Sequence, residues 1–251
     1  MRLITVGTGT AVPRPERGGS SALVIGGGVN LVVDLGMGSL HGLSRAGLAH
    51  RDADAVFFTH LHPDHVAETA SLFFAANYDP VPRTRPLALF GSKGLIPLFE
   101  GLDHAFGRWM EPKRYTRTFF PLNPGDSLGI GGMRLAAGPA NHDPSSLSLR
   151  VWADGFSLAV TGDTGPCPEL ADFARGVDLL LAEASLATGE EAETHLTAEE
   201  AGRLATAAGA GRLVLTHFYQ ASEADDPEGR ARKTYSGSVT AARDGMEFTF
   251  P

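Results

Sequence analysis

Thr59-His60-Leu61-His62-Pro63-Asp64-His65, THLHPDH, puts three histidines and an aspartate directly after the apolar run Ala55-Val56-Phe57-Phe58. An apolar run of this length, closed by a turn, reads as a buried strand over Ala55–Thr59. Strand side chains alternate, so a strand running into the cluster delivers His60 and His62 to one side. Pro63 turns the chain, and Asp64 and His65 then face the same space from a loop or the first turn of a helix. Imidazole nitrogens and a carboxylate gathered in one turn form a hard-to-borderline donor set that suits zinc, manganese or iron. An isolated histidine is usually a surface or packing residue. HxHxDH at the end of an apolar strand is a different signal.

A catalytic metal needs more ligands than this turn supplies, and three further donors stand just past apolar strands. His142 follows the strand Arg134–Gly138 in GPANHDP, Asp163 follows Phe156–Thr161 in TGDT, and His217 follows Arg212–Thr216 in LTHF. Taken singly, Asp163 is equally readable as a turn former and His142 as a loop histidine. Taken with THLHPDH, the three point to one convergent site.

The rest of the chain alternates short apolar runs with Gly- and Pro-rich turns. Arg2–Val6, Ser21–Ile25, Asn30–Asp34, Leu87–Phe90, Ser146–Trp152, Leu179–Glu183, Val239–Ala242 and Met246–Phe250 read as strands. Val66–Tyr78, Lys93–Leu102, Glu169–Arg175 and Thr197–Ala208 read as helices, the last with Thr197 and Glu200 spaced as a capping box. Strands, then strands with helices, twice over, suit an α/β chain of two mixed sheets packed face to face with helices outside. No low-complexity linker divides residues 1–251, so one domain is expected.

Composition narrows the function classes. Apolar residues make up 43% and charged residues 20%, the balance of a globular protein with a proper core. No run of about 18 apolar residues suggests a membrane span, and the opening MRLITVGTGTAVP reads as a first strand rather than a signal peptide. The single cysteine, Cys167, excludes an internal disulfide and a multi-cysteine zinc site, and the cytoplasm is the expected compartment. A formal net charge of −8 argues against a broad surface for extended nucleic acid, which is attracted by basic patches. Gly7 and Gly9 lack the following helix of a nucleotide fingerprint.

With these pieces in place the chain resembles the metallo-β-lactamase superfamily, and within it the branch of ribonuclease Z and related phosphodiesterases. The resemblance rests on VGTGTAVP with Ser20-Ser21, VVDLG, THLHPDH, LALFGSKGL, the His142 loop, TGDT, LLLAEASL, HLTAEEAGRLA and LTHF. It implies an αββα sandwich with two divalent metal ions, zinc first, at the sheet edges. His60, His62 and His142 would hold one ion, Asp64, His65 and His217 the other, and Asp163 would bridge. It implies His195, in ETHLTAEE, as general acid, with Glu183, in LLAEAS, holding it protonatable. Asp64, His195 and Glu183 are thus the catalytic candidates, and Asp34 in VVDLG a residue that orients a histidine. A homodimer is implied as well.

One part of ribonuclease Z has no counterpart. The long arm for tRNA sits in many members between the equivalents of His142 and Asp163, where this chain has room for two strands and a turn, SLSLRVWADGFSLAV. A small or single-stranded phosphodiester is therefore the expected substrate. A lactone, ester or thioester is the alternative, and tRNA 3′ processing is disfavoured. His41, His50 and His104 carry no ligand-like context. His104 with Arg108 and Trp109 could line a pocket mouth, Cys167 reads as a small buried side chain, and Lys113, Arg114 and Arg117 form a basic cluster that could meet an anionic substrate.

Overall fold

The apolar alternation produces two sheets of seven strands each, seen in a computed structural model that describes residues 1–190 and 192–250. The first sheet runs β14 (Glu247–Thr249), β1 (Arg2–Gly7), β2 (Ser21–Gly26), β3 (Val29–Val33), β4 (Ala55–Phe57), β5 (Leu87–Gly91) and β6 (Arg117–Pro121). The second runs β13 (Ser238–Ala241), β12 (Arg212–Thr216), β11 (Leu179–Glu183), β10 (Phe156–Val160), β9 (Ser148–Ala153), β8 (Met133–Gly138) and β7 (Ser127–Ile130). Each sheet is antiparallel in one half and parallel in the other. β3 to β6 are parallel in the first sheet and β10 to β13 in the second.

Strand periodicity explains the layering. In β3, Leu31 and Val33 enter the core between the sheets, while Val32 between them enters the core behind the first sheet. The inter-sheet core sets Leu31, Val33 and Phe57 in one cluster with Leu135, Leu149 and Val151. Behind the first sheet, Val32, Val56 and Leu89 share a cluster with Leu43 of α1 (Ser39–Arg45), Phe73 of α3 (Thr69–Tyr78) and Phe99 of α4 (Leu95–Phe106). Behind the second, Leu180, Leu213 and Leu215 pack with Ala201, Ala205 and Ala208 of α6 (Ala198–Ala208). Three cores therefore separate four layers, helix–sheet–sheet–helix. Central strands buried on both faces read as continuous apolar runs, which is why they are legible.

Several expectations change in detail. β4 ends at Phe57, so His60 and His62 lie beyond the strand and period-two alternation does not place them. The expected helix Val66–Tyr78 is two pieces, α2 (Pro63–Val66) and α3, the first begun by Pro63 with His62 as its N-cap. The capping box at Thr197 forms as expected. The Glu200 N–H donates to Thr197 Oγ1 at 3.2 Å, and the Thr197 N–H donates to Glu200 Oε2 at 2.9 Å. Arg117 is no substrate-facing cation. It pairs with Asp103 and lies over the rings of Phe73, Phe99 and Phe119, so β6 turns it into the α4 side of the fold. His104 stays out of the apolar groove that Phe74, Phe106 and Trp109 line. Cys167 is half-buried and opens α5 (Pro168–Phe173) as its N-cap.

Candidate metal centre

Parallel strands send their carboxyl ends to one edge of a sheet, and ligand sites form there. Asp34 follows β3, Thr59-His60 follow β4, Asp163 follows β10, Glu183 ends β11 and His217 follows β12. The structure brings His60, His62, Asp64, His65, His142, Asp163 and His217 together around the two carboxylates. Ligand atoms lie within 4.8 Å of one another in the group His60, His62, His142 and in the group Asp64, His65, His217. Asp163 stands between them. Its Oδ1 is 3.3 Å from His65 Nε2, and its Oδ2 is 3.7 Å from His60 Nε2, 3.5 Å from His217 Nε2 and 4.0 Å from His142 Nε2. Asp64 Oδ2 is 3.3 Å from His217 Nε2.

What turns the rings is a set of oxygens behind them. His65 Nδ1–H donates to Asp34 Oδ2 at 2.8 Å. Thr59 Oγ1 donates to the same oxygen at 2.8 Å, and so its lone pairs accept from His60 Nδ1–H at 3.2 Å. His142 Nδ1–H donates to the Thr194 carbonyl at 3.0 Å. Ser185 Oγ donates to Glu183 Oε2 at 2.6 Å, and so accepts from His217 Nδ1–H at 2.8 Å. Each Nδ1 thereby carries a proton, and each Nε2 faces the centre. Outer oxygens that fix tautomer and orientation in this way are the usual support of metal-bound histidine. His62 differs, presenting Nδ1 3.0 Å from His142 Nε2.

The centre fits divalent cations on its own chemistry. His60 Nε2 and His65 Nε2 are buried with no hydrogen-bond partner, an arrangement that costs free energy unless a partner is supplied. Burial, with the neighbouring His65, pushes the His60 pKa down to about 2, so its ring is the neutral form a metal requires. Burial acts to raise Asp64, but the His217 hydrogen bond and the nearby imidazoles bring it down to about 2. Asp163 is likewise held well below the usual carboxylate range by His217 and His65, against its burial. Burial would lower His65, yet Asp163 and Asp34 raise it well above its ordinary value. His62 is the most open of these histidines, its side chain 47% exposed.

His195 and Glu183 stand at the rim of this centre. Glu183 is buried and fully engaged. Its Oε1 accepts from Thr164 N at 2.9 Å and His195 Nδ1 at 2.8 Å, and its Oε2 accepts from Ser185 Oγ and from Ser185 N at 3.1 Å. Burial acts to lower the His195 pKa, but the Glu183 hydrogen bond and charge raise it overall. With Nδ1 taken, Nε2 is the nitrogen left for the cleft, and the donor atoms of His195, His142 and Asp163 lie within 4.8 Å of one another.

Sequence reasoning missed the residues that do the orienting, Thr59, Ser185 and the Thr194 carbonyl, and it missed Tyr219. A hydroxyl two residues past Glu183, on the same side of an extended strand, was the available signal for Ser185. Tyr219, two residues past His217, has its ring 6.4 Å from the His217 ring.

Comparison with known proteins follows this geometry. A family described as "Beta-lactamase superfamily domain" matches residues 30–218. The ribonuclease Z of Mycobacterium marinum is 28% identical, over 97% of this chain and 96% of that protein. Among solved structures, the metallo-beta-lactamase fold protein YhfI of Bacillus subtilis superposes with a TM-score of 0.86 at 24% identity, over 98% of each chain. The short form of human tRNase Z gives 0.80 at 23% identity, over 100% of each chain.

Proposed function

Starting from the fact that the chain belongs to the beta-lactamase superfamily and is a metal-dependent hydrolase, we propose that it is a dinuclear phosphodiesterase acting on a small or single-stranded phosphodiester. Residues 1–251 serve as one hydrolase domain in this reading. His60, His62 and His142 would hold one divalent ion and Asp64, His65 and His217 a second, with Asp163 within reach of both groups; zinc would be the first candidate and manganese or iron the others. When bound, such a pair supplies Lewis-acid chemistry that makes water nucleophilic near neutral pH and neutralises charge on phosphoryl oxygens. The chain's own residues do the rest. Asp34, Thr59, Ser185 and the Thr194 carbonyl hold the imidazoles in register. Glu183 keeps His195 protonated, and His195 gives its proton to the departing alkoxide.

The observation that carries the reading is the His195–Glu183 pair at 2.8 Å beside the ligand cluster. A poor alkoxide leaving group needs an acid, and a raised His195 pKa keeps the proton available at neutral pH. The choice of a small substrate is supported by the interval between His142 and Asp163. There β9 and β10 are joined by Asp154-Gly155 alone, which leaves no arm to grip a folded RNA. No helix among the described residues is long and apolar enough to cross a membrane. A homodimer and a cytoplasmic location belong to the same reading.

The test compares bis(p-nitrophenyl) phosphate, an alkyl diester, a lactone and an aryl ester on metal-quantified protein, beside His195→Ala. The expected result is diester turnover, with the alkyl diester losing roughly 10²- to 10⁴-fold in the variant and the p-nitrophenyl diester far less. Lactone or ester turnover without diester turnover overturns the proposal.

A further inference from the structure

His62 is the odd ring of the centre. His60, His65, His142 and His217 each give Nδ1–H to an oxygen behind them, at 3.2, 2.8, 3.0 and 2.8 Å in that order. His62 instead turns Nδ1 toward the cluster, 3.0 Å from His142 Nε2, and among the described residues its Nε2 makes no hydrogen bond. A neutral imidazole carries one proton, so a ring that gives Nδ1 to a cation keeps that proton on Nε2. The outer N–H of His62 therefore needs an acceptor of its own.

The carboxylate facing it is Asp143, whose Oδ2 lies 3.7 Å from His62 Nε2. The other oxygen is committed, because Oδ1 accepts from the Ser145 N–H at 2.5 Å and from the Ser145 hydroxyl at 2.6 Å. The Ser146 N–H donates to the Asp143 carbonyl at 3.0 Å, and the Asp143 N–H donates to Ser146 Oγ at 3.2 Å, which fixes the turn that carries the carboxylate. Oδ2 accepts no hydrogen bond among the described residues, so the turn holds out one uncommitted oxygen toward the His62 ring. At 3.7 Å the pair falls short of a hydrogen bond. Both side chains stand at the rim, Asp143 29% exposed, with room to close the gap.

The charge of the two ligand groups points the same way. Asp64 gives the group with His65 and His217 a carboxylate of its own, and Asp34 stands behind His65. The group His60, His62 and His142 consists of three imidazoles, two of them backed by a hydroxyl and a carbonyl. A carboxylate behind a ring raises the basicity of its coordinating nitrogen and fixes its orientation. Resting on the two-ion reading, we infer that Asp143 is a positioning residue for the three-histidine ion. It takes the outer Nε2–H of His62, holds that ring with Nδ1 inward, and sets the affinity of this site. The three-histidine site thus depends on a carboxylate at the rim, and the Asp64–His65–His217 site on the buried Asp34.

The experiment compares wild type with Asp143→Asn, by zinc titration against a chelator and by spectroscopy of the cobalt(II)-loaded protein. In the variant the amide oxygen takes the place held by the two Ser145 donors, so the NH₂ faces the His62 N–H, donor against donor. The expected result is one zinc ion bound about 10- to 100-fold more weakly, with the other within about twofold of wild type. The cobalt(II) absorption changes, and one exchangeable imidazole N–H resonance present in wild type is lost. Melting in excess chelator stays at the wild-type temperature, because the Ser145 and Ser146 contacts persist. Wild-type affinity for both ions overturns the inference. So does an equal weakening of both, or a variant that melts as much lower in chelator as it does with zinc, either of which marks a role in folding alone. Wild type that holds fewer than two ions overturns the two-ion reading itself.

Discussion

Asp34→Asn separates orientation of the centre from everything else. Asp34 takes three hydrogen bonds. Its Oδ1 accepts from Thr59 N at 2.8 Å, and its Oδ2 accepts from Thr59 Oγ1 and His65 Nδ1, each at 2.8 Å. The backbone sits at φ 59°, a left-handed conformation that Asn tolerates as well as Asp, so the substitution adds no backbone strain. The amide keeps one acceptor oxygen. If that oxygen stays on Thr59 N, the NH₂ faces His65, whose Nδ1 must then accept. The ring's proton moves to Nε2 and the lone pair leaves the centre. If the amide flips instead, its NH₂ meets the Thr59 N–H in a site closed to water. Either way one buried polar contact is lost and the charge that strengthened the others is gone, about 3 kcal/mol in total. That corresponds to roughly 6–12 °C in Tm. Losing the outer partner that orients a liganding imidazole costs about 10- to 100-fold in metal affinity. The assay is metal content by elemental analysis, affinity by chelator competition, and melting with and without chelator. Wild-type affinity for two ions in Asp34→Asn refutes the argument that Asp34 sets the His65 tautomer.

Three further outcomes follow from the same geometry. Ser185→Ala leaves His217 Nδ1–H unpaired and lowers metal affinity about 10- to 100-fold, while Ser185→Thr restores most of it; chelator competition on both variants is the check, and equal affinity in all three proteins would count against the Ser185 contact. Asp163→Ala is expected to reduce bound metal from two ions to one or none and to abolish turnover, and a variant that keeps two ions and full activity refutes the bridging assignment. Glu223 is held at about 2, against an ordinary 4.5, first by the Arg17 hydrogen bond and then by Arg14. A depressed carboxylate stabilises the fold fully above 4.5 and loses that contribution as pH falls toward 2. The urea midpoints of wild type and Glu223→Gln should therefore differ at pH 7 and converge across that window; a gap that does not narrow refutes it.

Legibility in the sequence followed burial. Strands flanked on both sides, such as β3, β4 and β11, carry unbroken apolar runs and were readable. β6 and β7 sit at sheet edges, pair on one side only, and are largely unburied, so their residues carry no clear pattern. α1, α7 (Gln220–Ala224) and α8 (Pro227–Ala231) span seven, five and five residues, too few turns for helical periodicity to show. Arg117 reads as part of a basic cluster that could meet an anionic substrate because its neighbours Lys113 and Arg114 are basic, and only the approach of Asp103 across fourteen positions turns it inward.

By itself, then, the sequence determined which residue types could form a metal centre and that each follows a strand. The donor letters are local, and a turn such as THLHPDH brings four of them together whatever the rest of the chain does. Tertiary structure decided how they face. Asp64 meets His217 across 153 positions, Asp34 meets His65 across 31, and Ser185 meets His217 across 32. Those distances close only when parallel strands align their carboxyl ends. The choice of nitrogen on each ring and the sharing of one Glu183 carboxylate between His195 and Ser185 arise from packing between remote segments, which no local pattern encodes.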